Sequence, residues 1–227
     1  MEDSWKGRIA SFVNRTILQK RGTVYCCSMR KIGRKRDCYV YSTSDYMRSS
    51  SLELVANEIR ENNISGSVSE LGVFRGEFAK LINLAFPDRK FYLFDTFEGF
   101  DEKDVKIEGN IKVNTGDFSK TNVEVVLNKM KYRDNCIIKK GYFPQTAEDV
   151  DDTFAFVSID VDLYEPTYKG LCYFYPRLSR GGYIFIHDYN DGTRYTRVKE
   201  AVKKYCFDNG IAYFPLSDNC GSVIIMK

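Results

Sequence analysis

The chain has 227 residues, 43% of them apolar and 15% aromatic, the composition of a globular protein with one substantial core. No apolar run approaches the roughly 18 residues that cross a bilayer, and the start Met1-Glu2-Asp3-Ser4-Trp5-Lys6 is too polar for a signal peptide, so a cytoplasmic protein is expected. The net charge of +3 conceals an asymmetry, because residues 1–36 hold ten Lys and Arg against two acids. This predicts a basic N-terminal extension over residues 1–44 ahead of a domain over 45–227. Its densest run, Arg30 to Arg36, lacks the aromatic interleaving of a single-strand-binding platform, so no nucleic-acid partner is expected. Seven cysteines, an odd number without a C-x-x-C pair, read as buried free thiols.

In chain order, the first periodic segment is Ser51–Asn62, with Leu52, Val55, Ala56 and Ile59 on one helical face. Val68–Leu71 reads as a buried strand, Gly72 and Gly76 as the hinges of a tight turn, and Ala79–Phe86 as a helix stopped by Pro87. A second strand, Phe91–Phe94, delivers Asp95. The charged stretch Asp101–Asp117 carries no pattern and reads as a loop. Val123–Met130 reads as a helix and Cys136–Ile138 as a third strand. Phe154–Asp160 is a fourth strand, apolar enough to imply cover on both faces. A helix over Pro166–Leu178 comes next, and Gly181-Gly182 turns the chain into a fifth strand, Tyr183–Ile186. After a helix with Val198, Ala201, Val202 and Tyr205 on one stripe come two short strands, 211–214 and 222–226, whose link suits only an antiparallel pair. The alternation predicts an open, doubly wound α/β sheet, mostly parallel, with helices on both faces and an antiparallel edge.

The segment Glu70-Leu71-Gly72-Val73-Phe74-Arg75-Gly76, with Asp95 nineteen residues beyond Gly76, is the arrangement that holds a nucleoside. It is neither G-x-G-x-x-G nor a phosphate loop, so there is no pyrophosphate to cradle. Glu70 can meet a cationic amino-acid group and Asp95 the ribose hydroxyls, which suits S-adenosylmethionine better than a dinucleotide. Asp160 and Asp162 end the fourth strand, and the sole histidine, His187, ends the fifth with Asp188. Oxygen and nitrogen ligands on one rim suit a divalent cation of the Mg or Mn kind, with His187 favouring the softer metal. The competing reading is that Asp160, Asp162 and Asp188 cap the helices beyond them.

Four motifs together resemble the macrocin O-methyltransferase family: the Glu70–Gly76 loop, Phe94–Phe100, the turn Gly141–Thr146, and Ile159-Asp160-Val161-Asp162-Leu163-Tyr164-Glu165-Pro166-Thr167. The resemblance covers roughly residues 45–205, including Tyr46-Met47-Arg48. It implies a class I methyltransferase with a seven-stranded Rossmann-like sheet and an N-terminal helical extension. It also implies methylation of a sugar hydroxyl from S-adenosylmethionine with a divalent metal, and a homo-oligomer. By the same resemblance Glu70, Gly72, Val73 and Gly76 hold the methionine end of the cofactor and Asp95, Thr96 and Phe97 the ribose side. Gly141 and Tyr142 lie near the adenine or the other face of the methyl donor, and Asp160 faces the donor while binding metal with His187 and Asp188. The family carries two adjacent acids where this chain has His187-Asp188. That departure weakens a hard cation and opens a second mechanism, with His187 as general base and no metal.

The chemistry itself requires an oxygen placed behind the donor methyl and a means of removing its proton, for which Asp160 and His187 are the candidates. A nicotinamide oxidoreductase is excluded by the glycine spacing. A nucleic-acid methyltransferase lacks its Asn/Asp-Pro-Pro-Tyr or Pro-Cys element, and a non-catalytic nucleoside-binding module would need no acidic rim. Acceptors with neighbouring hydroxyls on a glycosylated natural product, a surface polysaccharide or a nucleotide sugar all satisfy this reading.

Overall fold

The computed structural model describes residues 45–110 and 112–227, together with Ile9, Phe12, Val13 and Thr16. The chain divides into two units, Met1–Arg36 and Asp37–Lys227, and the sheet belongs to the second. The basic extension and its expected helices fall, those four residues aside, outside the described residues, as do Cys26, Cys27 and Cys38.

Helix α1 (Tyr46–Glu61) begins ahead of its apolar periodicity, because its start is set by a cap: the Asp45 carboxylate accepts the Arg48 amide at 3.1 Å. Strand β1 (Ser67–Leu71) is buried throughout, and α2 (Ala79–Ala85) returns the chain to β2 (Phe91–Asp95). The stretch read as a patternless loop contains a helix, α3 (Glu102–Glu108), capped by Asp101 at one end and by left-handed Gly109 at the other. Only seven residues long and acidic, it has too few apolar positions to show a period. Helix α4 (Val123–Leu127) is shorter than expected, and β3 (Cys136–Lys140) and β4 (Phe154–Ile159) come after it.

Helix α5 (Tyr164–Arg177) starts before Pro166, which a first turn tolerates because its amide would have no intrahelical partner. Strand β5 (Leu178–Ile186) includes Gly181 and Gly182, which were expected to form a turn. A Cβ on Gly182 would lie 3.0 Å from the Ala155 carbonyl. The pair marks an irregularity in the β4–β5 ladder, whose register shifts between Phe154 and Phe156. Helix α6 (Val198–Asn209) and strands β6 (Tyr213–Pro215) and β7 (Val223–Met226) complete the unit.

The seven strands run in the order β3-β2-β1-β4-β5-β7-β6. The first five are parallel, and β7 pairs antiparallel with both β5 and β6. One apolar layer, including Leu52, Ile59, Leu81, Phe156 and Phe185, covers the sheet face under α1 and α2. The other, including Phe94, Phe154, Phe174, Ile184 and Val202, lies under α5 and α6. The near-continuous apolarity of β4 results from this double cover. Cys136, Cys172, Cys206 and Cys220 are free thiols, but only Cys206 is buried and Cys172 is exposed. Among the described residues no helix is long and apolar enough to cross a membrane.

Candidate active site

Strand order reverses between β1 and β4, and a cavity of about 350 Å³ occupies the crevice at their carboxyl ends. Gly72 makes that crevice possible in a specific way. At φ +87° it passes so close to β4 that a Cβ there would lie 1.9 Å from the Asp160 carbonyl oxygen. The glycine therefore serves the approach of two strand ends, which brings Glu70 and Asp160 to the same wall.

On the β2 side, Asp95 acts first as a clamp on the protein itself. Its Oδ2 accepts the amides of Val73 and Phe74, both at 2.7 Å, and its Oδ1 accepts the amide of Phe97 at 2.6 Å. A carboxylate offers roughly four acceptor positions, so three amides leave room for a ribose hydroxyl. Thr96 and Gly141 line the cavity as expected. Three expected cofactor contacts do not. Gly76 faces Val126 and Met130 under α4, Phe97 belongs to the apolar core, and the Tyr142 hydroxyl turns away to Asp104 at 2.7 Å and Lys169 at 3.0 Å. Gly76 and Phe97 both stand at positive φ, +76° and +56°, so the backbone bends sharply at each of them just beyond its strand end.

On the β4–β5 side the charged groups converge. Asp160 bonds Arg48 Nη1 through Oδ2 at 2.9 Å and His187 Nδ1 through Oδ1 at 3.2 Å; the same Nδ1 is 2.8 Å from Asp188 Oδ2. Oxygens of Asp160, Asp162 and Asp188 all lie within 4.8 Å of one another. None of these acids caps a helix: the residues preceding α5 and α6 are Leu163 and Arg197, neither with a side-chain cap bond. The α5 amide of Tyr164 is met instead by Glu108 from α3, at 3.0 Å. Asp162 and Asp188 adopt left-handed φ of +61° and +56°, a strained choice for such residues that aims both carboxyls into the cluster.

Electrostatics divides these acids. Burial would raise Asp160, but His187 and Arg48 outweigh it and hold the carboxyl well below the usual range. Burial, with Asp160 and Asp188 beside it, pushes Asp162 well above its ordinary value. Burial also pushes Glu70 well up, against the pull of Arg48. His187 is disfavoured as a cation by burial, but Asp160 and Asp188 overcome that and push it up to about 12. Asp160, Asp162 and Asp188 are a carboxylate set that fits a divalent ion of the Mg or Mn kind, and His187 can add its nitrogen only where the ion displaces its proton.

The residue the sequence did not single out as part of the site is Arg48. It is buried, reaches Asp160 and the Ser158 hydroxyl (3.2 Å), and lies over the Phe78 ring at 3.8 Å. A separation of 112 residues from Asp160 leaves no local signal.

The profile of the Macrocin-O-methyltransferase (TylF) family matches residues 6–218. The chain belongs to the macrocin O-methyltransferase family. It is thus an O-methyltransferase with S-adenosylmethionine as the methyl donor general to the family. A demethyldecarbamoylnovobiocin O-methyltransferase from Streptomyces niveus is 25% identical over 74% of this chain and 70% of its own length. A tetracenomycin-type 4'-O-methyltransferase from Streptomyces olivaceus is 27% identical over 87% and 79%. A mycinamicin III 3''-O-methyltransferase from Micromonospora griseorubida is 29% identical over 73% and 70%. The fold is that of the O-methyltransferase NovP, with a TM-score of 0.66, 23% identity and 80% of each chain covered.

Proposed function

We propose that this protein methylates a hydroxyl of a sugar, with the donor on the β1–β2 side of the cavity and the acceptor against the β4–β5 side. The observation that carries the reading is the convergence of Asp160, Asp162 and Asp188 on a cavity whose opposite wall is the glycine loop. The name of the Streptomyces olivaceus relative, which specifies a dimethoxy-rhamnosyl group, supports a sugar acceptor.

Asp160 and Asp188 would hold a divalent ion, with His187 joining them where the ion displaces its proton. Such an ion supplies Lewis acidity, which lowers the pKa of a neighbouring hydroxyl. Asp160 and Asp188 orient the acceptor, and the glycine loop clamped by Asp95 fixes the donor, so that the hydroxyl oxygen lies behind the methyl. The acceptor oxygen takes the methyl, the donor sulfur keeps the electron pair of the broken bond, and the hydroxyl proton passes to the protein.

Asp162 is better placed for that proton than either expected base. Asp160 spends both oxygens on Arg48 and His187, and His187 directs Nδ1 at two carboxylates. Asp162 makes no ion pair among the described residues, and its carboxyl lies against those of Asp160 and Asp188. Asp160→Asn should abolish turnover, and lower the affinity for Mn measured by calorimetry, while S-adenosylhomocysteine still binds. Near-normal methylation by that variant would overturn the reading.

A further inference from the structure

Asp162 is the centre of a three-residue turn: the Leu163 amide donates to the Val161 carbonyl at 2.6 Å, and Asp162 between them holds φ +61°. A turn of that hand is rare and strained, and such a backbone persists only where its surroundings over-determine it. The start of α5 supplies no restraint of its own, since Leu163 makes no side-chain cap bond there. The restraint comes from α3 and the loop beyond it.

Two contacts provide it. Glu108, buried at the end of α3, accepts the Tyr164 amide through Oε2 at 3.0 Å, across 56 positions of sequence, and so satisfies one of the amides that a helix start leaves open. Leu163 is buried in a small apolar cluster with Val113 and Tyr195, against which Phe100, Val105 and Phe118 pack. The two residues after Asp162 are thus held from the same side, the first by its side chain and the second by its backbone. Glu108 is itself fixed: Arg197 donates to the carbonyls of Ile107 at 2.6 Å and Glu108 at 3.4 Å, and Asp104, one turn earlier, accepts the Tyr142 hydroxyl. Its other carboxyl oxygen, Oε1, has no hydrogen-bond partner among the described residues. A carboxyl buried with one oxygen unbonded costs stability, a cost that an apolar side chain at a merely packed position would avoid. Phe100 and Phe118, which pack on the Leu163 cluster, also line the cavity. Whatever fills the cavity there meets residues that hold Asp162 in place.

We propose that Glu108 is a positioning residue for methyl transfer: through the Tyr164 amide it holds Asp162 in the left-handed turn that sets its carboxyl against those of Asp160 and Asp188. This rests on Asp162 being the group that receives the acceptor's proton. Glu108 does not line the cavity and acts only through the backbone of α5.

The first test needs no acceptor. Crystal structures of wild type and Glu108→Leu should show Asp162 leaving the left-handed region in the variant, its carboxyl drawn away from Asp160 and Asp188; an unmoved Asp162 would overturn the proposal. The second reads methyl transfer from S-adenosylmethionine to p-nitrophenyl α-L-rhamnoside. Glu108→Leu should lower kcat by about tenfold to a hundredfold while S-adenosylhomocysteine binds within about twofold of wild type. Glu108→Gln, which keeps an oxygen for the Tyr164 amide, should recover most of the loss. Made in an Asp162→Asn background, Glu108→Leu should cost less than about twofold more, because the group it positions is gone. A structural role would lower kcat equally in both backgrounds, and such additive losses overturn the proposal alone. Near-normal turnover by Asp162→Asn by itself overturns the proton-acceptor reading and the proposal with it, a result distinct from additivity. Should Glu108→Leu fail to fold, Glu108→Asp keeps the charge and shortens the reach, and the same measurements are read on it.

Discussion

The two sides of the cavity are built on opposite electrostatic plans. On the donor side Asp95 is satisfied by three backbone amides from the loops it joins, so charge is balanced by dipoles the chain always carries. On the acceptor side Asp160, Asp162 and Asp188 crowd together with two cationic side chains, Arg48 and His187, bonded to the cluster. Two of those acids are held at left-handed φ. The first plan gives a rigid pair of loops; the second stores like-charge repulsion among Asp160, Asp162 and Asp188. The two sides meet where Gly72 passes against the Asp160 carbonyl and Arg48 bonds the Asp160 carboxylate.

That contrast can be broken most severely at Gly72. Gly72→Ala forces a Cβ into the Asp160 carbonyl at a positive φ, and urea denaturation should show a loss of about 4 kcal/mol or more, with both sides failing together. Asp162→Asn should separate them. Turnover is expected to fall by about 10²–10⁴-fold, while the affinity for S-adenosylhomocysteine measured by calorimetry hardly moves; a comparable fall in both would return the proton to another residue. A smaller effect is expected from His187→Asp, which places two acids side by side at the end of β5. Its ratio of Mg to Mn affinity should rise by about tenfold or less, with donor binding unchanged. The smallest belongs to Tyr142→Phe. With its hydroxyl on Asp104 and Lys169, the variant should lose about 1 kcal/mol of stability and retain donor affinity, whereas weakened donor binding would restore Tyr142 to the cavity.

How much of this was legible depended on the range over which each signal acts. The β1 to α2 and β4 to α5 transitions showed in apolar runs and in Gly72, Asp95 and Asp160, because strand ends and turns are written locally. The α3 helix was missed for want of an apolar stripe, and Gly181-Gly182 was mistaken for a turn because a glycine pair marks close backbone approach as readily as reversal. At the rim, position along a strand predicted backbone placement but not side-chain direction. Phe97 and Tyr142 lie just beyond β2 and β3, yet Phe97 packs in the apolar core and the Tyr142 hydroxyl bonds Asp104 and Lys169.

The sequence alone determined the alternation of elements, the family motifs and the acids at the ends of β2, β4 and β5, since all of these are properties of short windows. Only the tertiary structure decided that β1 neighbours β4, which sets Glu70 beside Arg48 and lays Gly72 against Asp160. It also decided that Asp162 joins the cluster and caps no helix. The reason is physical: strand pairing across the switch point and the bonds of a buried arginine join residues about a hundred positions apart, and no local period encodes such a contact.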